Sequence, residues 1–172
     1  MTEEKFREQL NKAASLFNSL KDTVRLVSHH DADGICSAAI LVSLLNKKGI
    51  NYAISIVPQL DVSFLESLSR ESYSTFIFTD LGSTQLHNLE KYFPDKNIIV
   101  LDHHRPGRHS AKIYHVNPHD YGINGGREIS GSGVVYLMAE KASPEIKKLS
   151  HLPVIGAIGD CQERNGFTGL NK

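Results

Sequence analysis

The chain has 172 residues, of which 40% are apolar and 22% charged, a composition typical of one globular domain with a hydrophobic core. Its 19 basic and 19 acidic residues leave no formal net charge, which excludes a strongly basic domain that grips nucleic acid by charge alone. A nucleic-acid partner would therefore be bound by local groups, or by a part of the protein outside this chain.

The two cysteines, Cys36 and Cys161, are too few for a disulfide framework, and their apolar or small-residue neighbours predict that both are reduced and buried. The first ten residues are charged and contain no apolar signal core. The longest apolar run, 35–45, is too short to cross a bilayer. These features predict a cytoplasmic protein with no membrane partner.

Apolar periodicity predicts strands that alternate with helices along the chain. The predicted elements are a helix over 3–20, a strand over 23–28, a helix over 35–48, a strand over 51–57, a helix over 61–70, a strand over 74–79, a helix over 84–92, strands over 97–101 and 112–116, a loop over 119–129, and helices over 131–142 and 152–161. This alternation predicts an α/β fold with a mostly parallel β-sheet of about five strands and helices on both faces. In such sheets, functional groups gather beyond the carboxyl ends of the strands.

The segment after the first predicted strand, SHHDADG over 28–34, carries imidazole and carboxylate groups at alternate positions. Residues two apart in an extended segment point the same way, so His29, Asp31 and Asp33 can converge. Gly34 would then let the chain turn into the next helix. Taken alone, the segment could equally be an ordinary surface loop.

Three further groups end predicted apolar elements: Asp80 after 74–79, the triplet 102–104 (DHH) after 97–101, and Asp160 at the end of VIGAIGD. Each alone is typical of a turn or a helix cap, but together they would crowd carboxylates at one sheet edge, where they repel one another unless cations neutralise them. Oxygen and imidazole donors without thiolate suit Mn²⁺ or Mg²⁺, and Zn²⁺ or Co²⁺ are compatible. The economical arrangement is a pair of ions bridged by Asp80, which together activate a water for attack on phosphorus.

The order HHDADG, FTDLGS, DHH and GD over residues 24–165 resembles the four motifs of the DHH phosphoesterase family, and the SHxDADG form is similar to its archaeal RecJ-like single-strand exonucleases. The resemblance implies two Mn²⁺ ions, with Mg²⁺ or Co²⁺ as substitutes. The implied ligands are His29, Asp31 and Asp80 for one ion, and Asp33, Asp80, His103 and Asp160 for the other. The family's pyrophosphatases place their first histidine where this chain has Val27, which argues against that activity.

The resemblance also implies roles beyond metal binding. His104 would face the scissile phosphate. Asp102 would orient the histidines without itself binding a metal ion. The segment 130–134, which begins SGSGV, resembles a substrate-side segment of the RecJ-like branch. A helix start of this kind offers backbone N–H groups and hydroxyls to a phosphate. The residues assigned to substrate are Ser130 and Ser132 of this segment, Arg127 just before it, and Arg105 after the DHH triplet, although Ser130 could simply cap a helix and the arginines could be solvated.

The resemblance implies a metal-dependent phosphodiesterase that removes nucleotides from the ends of single-stranded DNA or RNA. Two alternatives stay open. One is a hydrolase of short oligoribonucleotides or cyclic dinucleotides, and the other is a replication-fork scaffold that binds the GINS complex and needs no metal. Nuclease members carry a second, nucleic-acid-binding domain, so we expect residues 1–172 to be a single DHH catalytic domain and a fragment of a longer protein.

Overall fold

The five strands form one sheet in the order β2-β1-β3-β4-β5, and every neighbouring pair is parallel. The computed structural model describes residues 2–172. The strands are β1 (Val24–His29), β2 (Tyr52–Val57), β3 (Thr75–Thr79), β4 (Asn97–Leu101) and β5 (Tyr114–Val116), and the helices are α1 (Thr2–Ser19), α2 (Ala32–Lys47), α3 (Val62–Ser69), α4 (Leu86–Tyr92), α5 (Gly131–Ala142) and α6 (His151–Gly159). The predicted α/β class and parallel sheet are confirmed.

Two hydrophobic cores cover the two faces of the sheet, because strand residues alternate between its faces. Leu26, Ile77 and Ile99 face the core that contains α1, α2 and α5. Phe78 and Val100 face the smaller core, which is closed by α3 and α4. Across residues 2–172, no helix has both the length and the apolar character needed to cross a membrane.

The strand order creates a switch point between β1 and β3. From β1 the chain moves outward to β2, then returns to the other side of β1 to form β3, β4 and β5 in turn. At such a point the loops leaving two adjacent strands diverge and leave a crevice at the carboxyl edge. His29 ends β1 and Asp80 follows β3, so the first two sequence motifs meet at this crevice.

Helix α2 begins at Ala32, earlier than the predicted residue 35. The extended segment predicted over 28–34 therefore ends before Asp33. Asp31 is the extended N-cap residue, and Ala32 is already helical, so Asp33 and Gly34 belong to the first helical turn. His29 and Asp31 do converge, but Asp33 joins a different group of side chains. Gly34 is helical rather than left-handed, so the reason for glycine here is close packing and not a turn.

The cysteine prediction is half wrong. Cys36 is buried and free, as expected, but Cys161 is free and exposed. Helix α6 ends at Gly159 rather than at the predicted residue 161, and Cys161 has a left-handed backbone with φ of 56°. The chain has therefore already left the packed helix face at this residue.

Gly34→Ala tests the close approach of α2 to β1. We expect the substitution to reduce the free energy of unfolding by about 1–3 kcal/mol, because the new methyl group would overlap the backbone carbonyl of His29. The higher helix propensity of alanine, about 1 kcal/mol, offsets only part of this loss. Denaturant unfolding measures the change. The control is Gly126→Ala, whose methyl group would meet only Asn124 Oδ1 at 3.4 Å, and equal stability of the two variants would contradict the prediction.

Candidate metal centre

The first group of the centre forms where β1 meets α2. His29 Nδ1 lies 2.8 Å from Asp31 Oδ2 and 3.5 Å from Asp80 Oδ2. The other oxygen of Asp31 accepts a hydrogen bond from Gly34 N at 2.9 Å, which caps α2 and fixes the carboxylate. One Asp31 oxygen therefore holds the helix start while the other faces the imidazole.

Asp80 lies between two histidines. Its backbone is left-handed, with φ of 57°, and its N–H donates to Leu101 O at 3.0 Å, which extends the pairing of β3 with β4. The side chain is only 1% exposed. While Asp80 Oδ2 faces His29, Asp80 Oδ1 lies 3.1 Å from His103 Nε2. Asp80 thus presents one oxygen to each side of the centre, as the predicted bridging role requires.

The second group surrounds His103. Its Nε2 lies 3.2 Å from Asp160 Oδ2 and 3.8 Å from Asp33 Oδ2. Asp160 follows the last residue of α6, and Asp33 lies in the first turn of α2. Ligand atoms of these three residues lie within 4.8 Å of one another, as do those of His29, Asp31 and Asp80. The structure therefore brings all six predicted ligands together, in the two groups that the resemblance implied.

Unpaired polar atoms are concentrated at this point. Within residues 2–172, six buried side-chain atoms have no hydrogen bond of acceptable geometry, and four of them are His29 Nδ1, His103 Nε2 and both carboxylate oxygens of Asp80. Buried polar atoms are normally satisfied, so a cluster of unsatisfied ones calls for a missing partner. Nitrogen and oxygen atoms arranged in this way fit divalent cations.

The charges of the centre lead to the same conclusion. Contact with the Asp80 carboxylate raises the pKa of His29 to about 9, against the opposing effect of burial. Burial lowers the pKa of His103, but its contacts with Asp80 and Asp33 outweigh this and raise it to about 10. Burial, followed by the charge of Asp80, raises the pKa of Asp33 to about 7. The carboxylates are thus in excess and draw protons into the centre, which bound cations would displace.

A cavity of about 280 Å³ opens onto the first group. His29, Asp80, Asp102 and His104 line it. The His104 side chain is 48% exposed, and its Nδ1 is bonded to Asp102 Oδ1 at 2.8 Å, which leaves Nε2 as the free ring nitrogen. A larger cavity of about 390 Å³ lies beside Thr75 and Asn97 at the opposite edge of the sheet, where none of the lining residues is a histidine. Of these two cavities, only the smaller one is lined by histidines and carboxylates of the centre.

A model of the DHH family, N-terminal domain, matches residues 23–157. The chain belongs to the DHH family. Its DHH domain is 37% identical over 156 residues to an uncharacterized protein of Methanocaldococcus jannaschii, covering 87% of this chain and 35% of that protein. It is 24% identical over 152 residues to the single-stranded-DNA-specific exonuclease RecJ of Bacillus subtilis, covering 83% of this chain and 19% of that enzyme. The chain therefore spans about a third or less of these relatives' length.

Solved structures share the DHH fold. An exonuclease RecJ bound to manganese superimposes with a TM-score of 0.76 at 23% identity, over 94% of this chain and 45% of that one. The RecJ of Thermus thermophilus in complex with Mn²⁺ gives 0.72 at 24% identity, over 88% and 24%. CDC45 from Entamoeba histolytica gives 0.59 at 18% identity, over 94% and 33%. The five-stranded parallel sheet is thus the α/β architecture of the RecJ DHH domain.

Asp102 of the DHH triplet is fully buried and bonds to both histidines that follow it. Its Oδ1 accepts from His103 N at 2.7 Å and from both the backbone N–H and the Nδ1 of His104, and its Oδ2 accepts from Ser83 N at 2.9 Å. Burial raises the pKa of Asp102, but the bonds from His104 outweigh it and hold that pKa well below its usual range. These contacts agree with an orienting role, which stays a prediction.

The loop after β5 fixes the other histidine of the DHH triplet. His103 Nδ1 donates to Gly125 O at 2.7 Å, because a carbonyl oxygen can only accept, and Nε2 is therefore directed at the carboxylates. Gln162 Nε2 donates to the same carbonyl at 3.0 Å. Sequence reasoning missed Gly125 and Gln162, since a backbone carbonyl in a loop has no side-chain signature. It also missed Ser83, although this residue follows directly on FTDLG.

The four predicted substrate residues divide into two pairs. Arg105 and Arg127 are exposed and so remain accessible to a phosphate. Ser130 and Ser132 are fully buried: Ser130 Oγ caps α5 by accepting from Gly133 N at 3.2 Å, and Ser132 donates to Asp33 from both its hydroxyl and its backbone N–H. The structure therefore directs the serines inward, toward a predicted metal ligand, and their substrate role stays a prediction.

Asp80→Asn tests whether the centre binds metal. Asparagine tolerates the left-handed backbone and keeps the shape of the side chain, but it removes the central negative charge. We expect Mn²⁺ at about 100 times its dissociation constant to stabilise the wild-type protein by about 2.7 kcal/mol, and the variant by much less. Thermal unfolding with and without MnCl₂ measures the difference. The exposed Asp95→Asn is the matched control, and full Mn²⁺ stabilisation of Asp80→Asn would contradict the assignment.

Proposed function

We propose that this DHH domain hydrolyses phosphodiester bonds at the ends of single-stranded DNA or RNA, with two Mn²⁺ ions held by His29, Asp31, Asp33, Asp80, His103 and Asp160. The observation that carries the proposal is the cluster of unsatisfied buried atoms around Asp80, with one carboxylate oxygen toward each histidine. A bridging carboxylate between two ligand groups is the arrangement of two-metal hydrolases of phosphate esters. The RecJ relative supports single-stranded DNA as the first substrate to test.

The ions would polarise the phosphoryl oxygens and make a bound water more acidic at neutral pH. Among the chain's own groups, His104 is placed to serve the leaving oxygen. Its hydrogen bond to Asp102 raises its pKa, which favours the protonated ring from which Nε2 would donate. Asp102 fixes the orientation of the His104 ring, because its Oδ1 accepts from both the backbone N–H and the Nδ1 of His104. No serine or cysteine nucleophile is required.

The exposed arginines would hold phosphates on either side of the scissile one. Arg105 directly follows His104, and its charge is among the causes that lower the pKa of His119, after the larger effect of burial. A guanidinium can bind a phosphate through two parallel hydrogen bonds. The neutral total charge of the chain agrees with a few local contacts rather than a broad basic surface.

The assignment of residues 1–172 to a single catalytic domain of a longer protein stays a prediction, as does a cytoplasmic location.

Two other functions are compatible with the same fold. A hydrolase of short oligoribonucleotides or cyclic dinucleotides would use the same centre on a shorter substrate. The fold likeness to CDC45 supports a scaffold role, for which GINS is the predicted partner. A scaffold has no need for six metal ligands, and their convergence here favours catalysis.

His104→Asn separates proton donation from metal binding. Asparagine can still bond to Asp102, but it cannot donate a proton to a leaving alkoxide. We expect kcat on a short single-stranded oligonucleotide with Mn²⁺ to fall by about 10²–10⁴, while Mn²⁺ affinity is unchanged. On the p-nitrophenyl ester of thymidine 5′-phosphate the loss should be under about tenfold, because p-nitrophenolate leaves without a proton.

The controls for this experiment separate the candidate functions. His87→Asn, at an exposed position on α4, should keep full activity, and EDTA or Asp80→Asn should remove it on both substrates. An equal loss on both substrates would refute the proton-donor role of His104. Cleavage of cyclic dinucleotides alone would favour the second function. Mn²⁺ binding without cleavage of any substrate would favour the scaffold.

A further inference from the structure

A second group of side chains able to bind a metal lies beside Ser83, apart from the ligands of the metal centre described above, here called the DHH centre. It consists of His109 in the loop after β4, His115 in β5, and Asp120 in the short 3₁₀ turn at Pro118–Tyr121. One nitrogen of each histidine and one carboxylate oxygen lie within 4.8 Å of one another. None of the three is a ligand of the centre described above.

The separations in this group fit ligands of a common ion better than they fit hydrogen bonds. His115 Nδ1 lies 3.5 Å from Asp120 Oδ2, and His109 Nε2 lies 3.7 Å from the other oxygen of the same carboxylate, Asp120 Oδ1. A nitrogen–oxygen hydrogen bond is normally about 2.7–3.2 Å long. Ligands about 2.0–2.1 Å from a tetrahedral Zn²⁺ lie about 3.3 Å apart, so small side-chain adjustments would complete the site.

The His115 ring is held in place by a hydrogen bond at Nε2, the nitrogen that does not face Asp120. Its side chain is 7% exposed, and Nε2 lies 2.8 Å from Ser83 Oγ. The hydroxyl oxygen has two lone pairs, so it can accept from His115 Nε2 as well as from Asn117 Nδ2 at 2.8 Å. In the tautomer that carries its proton on Nε2, the ring donates to Ser83 Oγ and leaves Nδ1 free for a metal, as outer hydrogen bonds do at known metal sites. Burial lowers the pKa of His115, which favours the neutral imidazole that metals bind.

The order Ser83, His115, Asp120 also matches the composition of a hydrolytic serine triad, but burial excludes that function. Ser83 is fully buried, and its Oγ already accepts a bond from Asn117, so no substrate carbonyl could reach it. The most exposed side chain of the group is that of His109, at 67%. The open side of the group therefore faces solvent, where an ion can enter.

We propose that His109, His115 and Asp120 form a separate site for Zn²⁺, with water as the fourth ligand. Two imidazoles and one carboxylate suit Zn²⁺, whereas the DHH centre has four carboxylates and two imidazoles and suits harder ions. The site is connected to the centre, because Ser83 contacts His115 through Oγ and Asp102 through its backbone N–H. An ion here would restrain the loop that carries Arg105 and His109. It would link that loop, through His115 and Ser83, to Asp102, which bonds to His104.

The experiment counts bound zinc. The protein is stripped with a chelator, saturated with Zn²⁺ and desalted, and metal is measured for the wild type, His109→Ala and Asp120→Asn. We expect each variant to bind one zinc ion fewer per chain, or to show a Zn²⁺ dissociation constant raised at least about tenfold in chelator competition. The same comparison in an Asp80→Asn background separates this site from the DHH centre, since the difference between variants should persist there.

His151→Ala, at an exposed position at the start of α6, is the matched control and should bind as much zinc as the wild type. Co²⁺ gives a second readout, because the intense visible absorption of a tetrahedral Co²⁺ site should be lost in His109→Ala. His109 and Asp120 lie at the surface, so circular dichroism should show both variants folded. Equal zinc content in all variants, or a loss that occurs only with Asp80→Asn, would overturn the proposal.

Discussion

The burial of three carboxylates at one edge of the sheet is the constraint on which the rest of this structure depends. Asp33, Asp80 and Asp102 are each at most 1% exposed. A buried carboxylate is costly unless charge or hydrogen bonds compensate it. Asp102 accepts bonds from neighbouring N–H groups, and Asp33 accepts them from the start of α5. Asp80 accepts no such bond, and the charges nearest to it belong to His29 and His103, whose pKa values rise to about 9 and about 10.

The packing of the helices follows from the same constraint. The N-terminus of α5 points its free N–H groups and positive dipole end at Asp33, which lowers the cost of burying that charge. This approach needs residues without side chains. A methyl group on Gly131 would lie 2.5 Å from Asp80 Oδ1, and one on Gly156 would overlap Asp33. The small residues at the starts and crossings of α5 and α6 therefore make room for the carboxylates.

The sequence predicts the sheet and the convergence of the ligands because both follow from local periodicity. Apolar runs of strand length end at Asp80 and at Asp102, and parallel strands bring such ends to one edge. The inward direction of Ser132 could not be predicted, since it depends on Asp33, which is 99 residues away in the chain. The helical start at Ala32 was missed because residues 28–34 were predicted to be extended, although Asp31 is a good N-cap type.

The backbone at Asp80 bears on the choice between an enzyme and a scaffold. Its left-handed conformation is uncommon for a residue with a side chain, and such strain costs on the order of 1–3 kcal/mol. Glycine would remove that strain, and it would also remove the unsatisfied buried oxygens. Bound cations would compensate the charge of this carboxylate, and this need for compensation favours the proposed metal-dependent chemistry over the scaffold role.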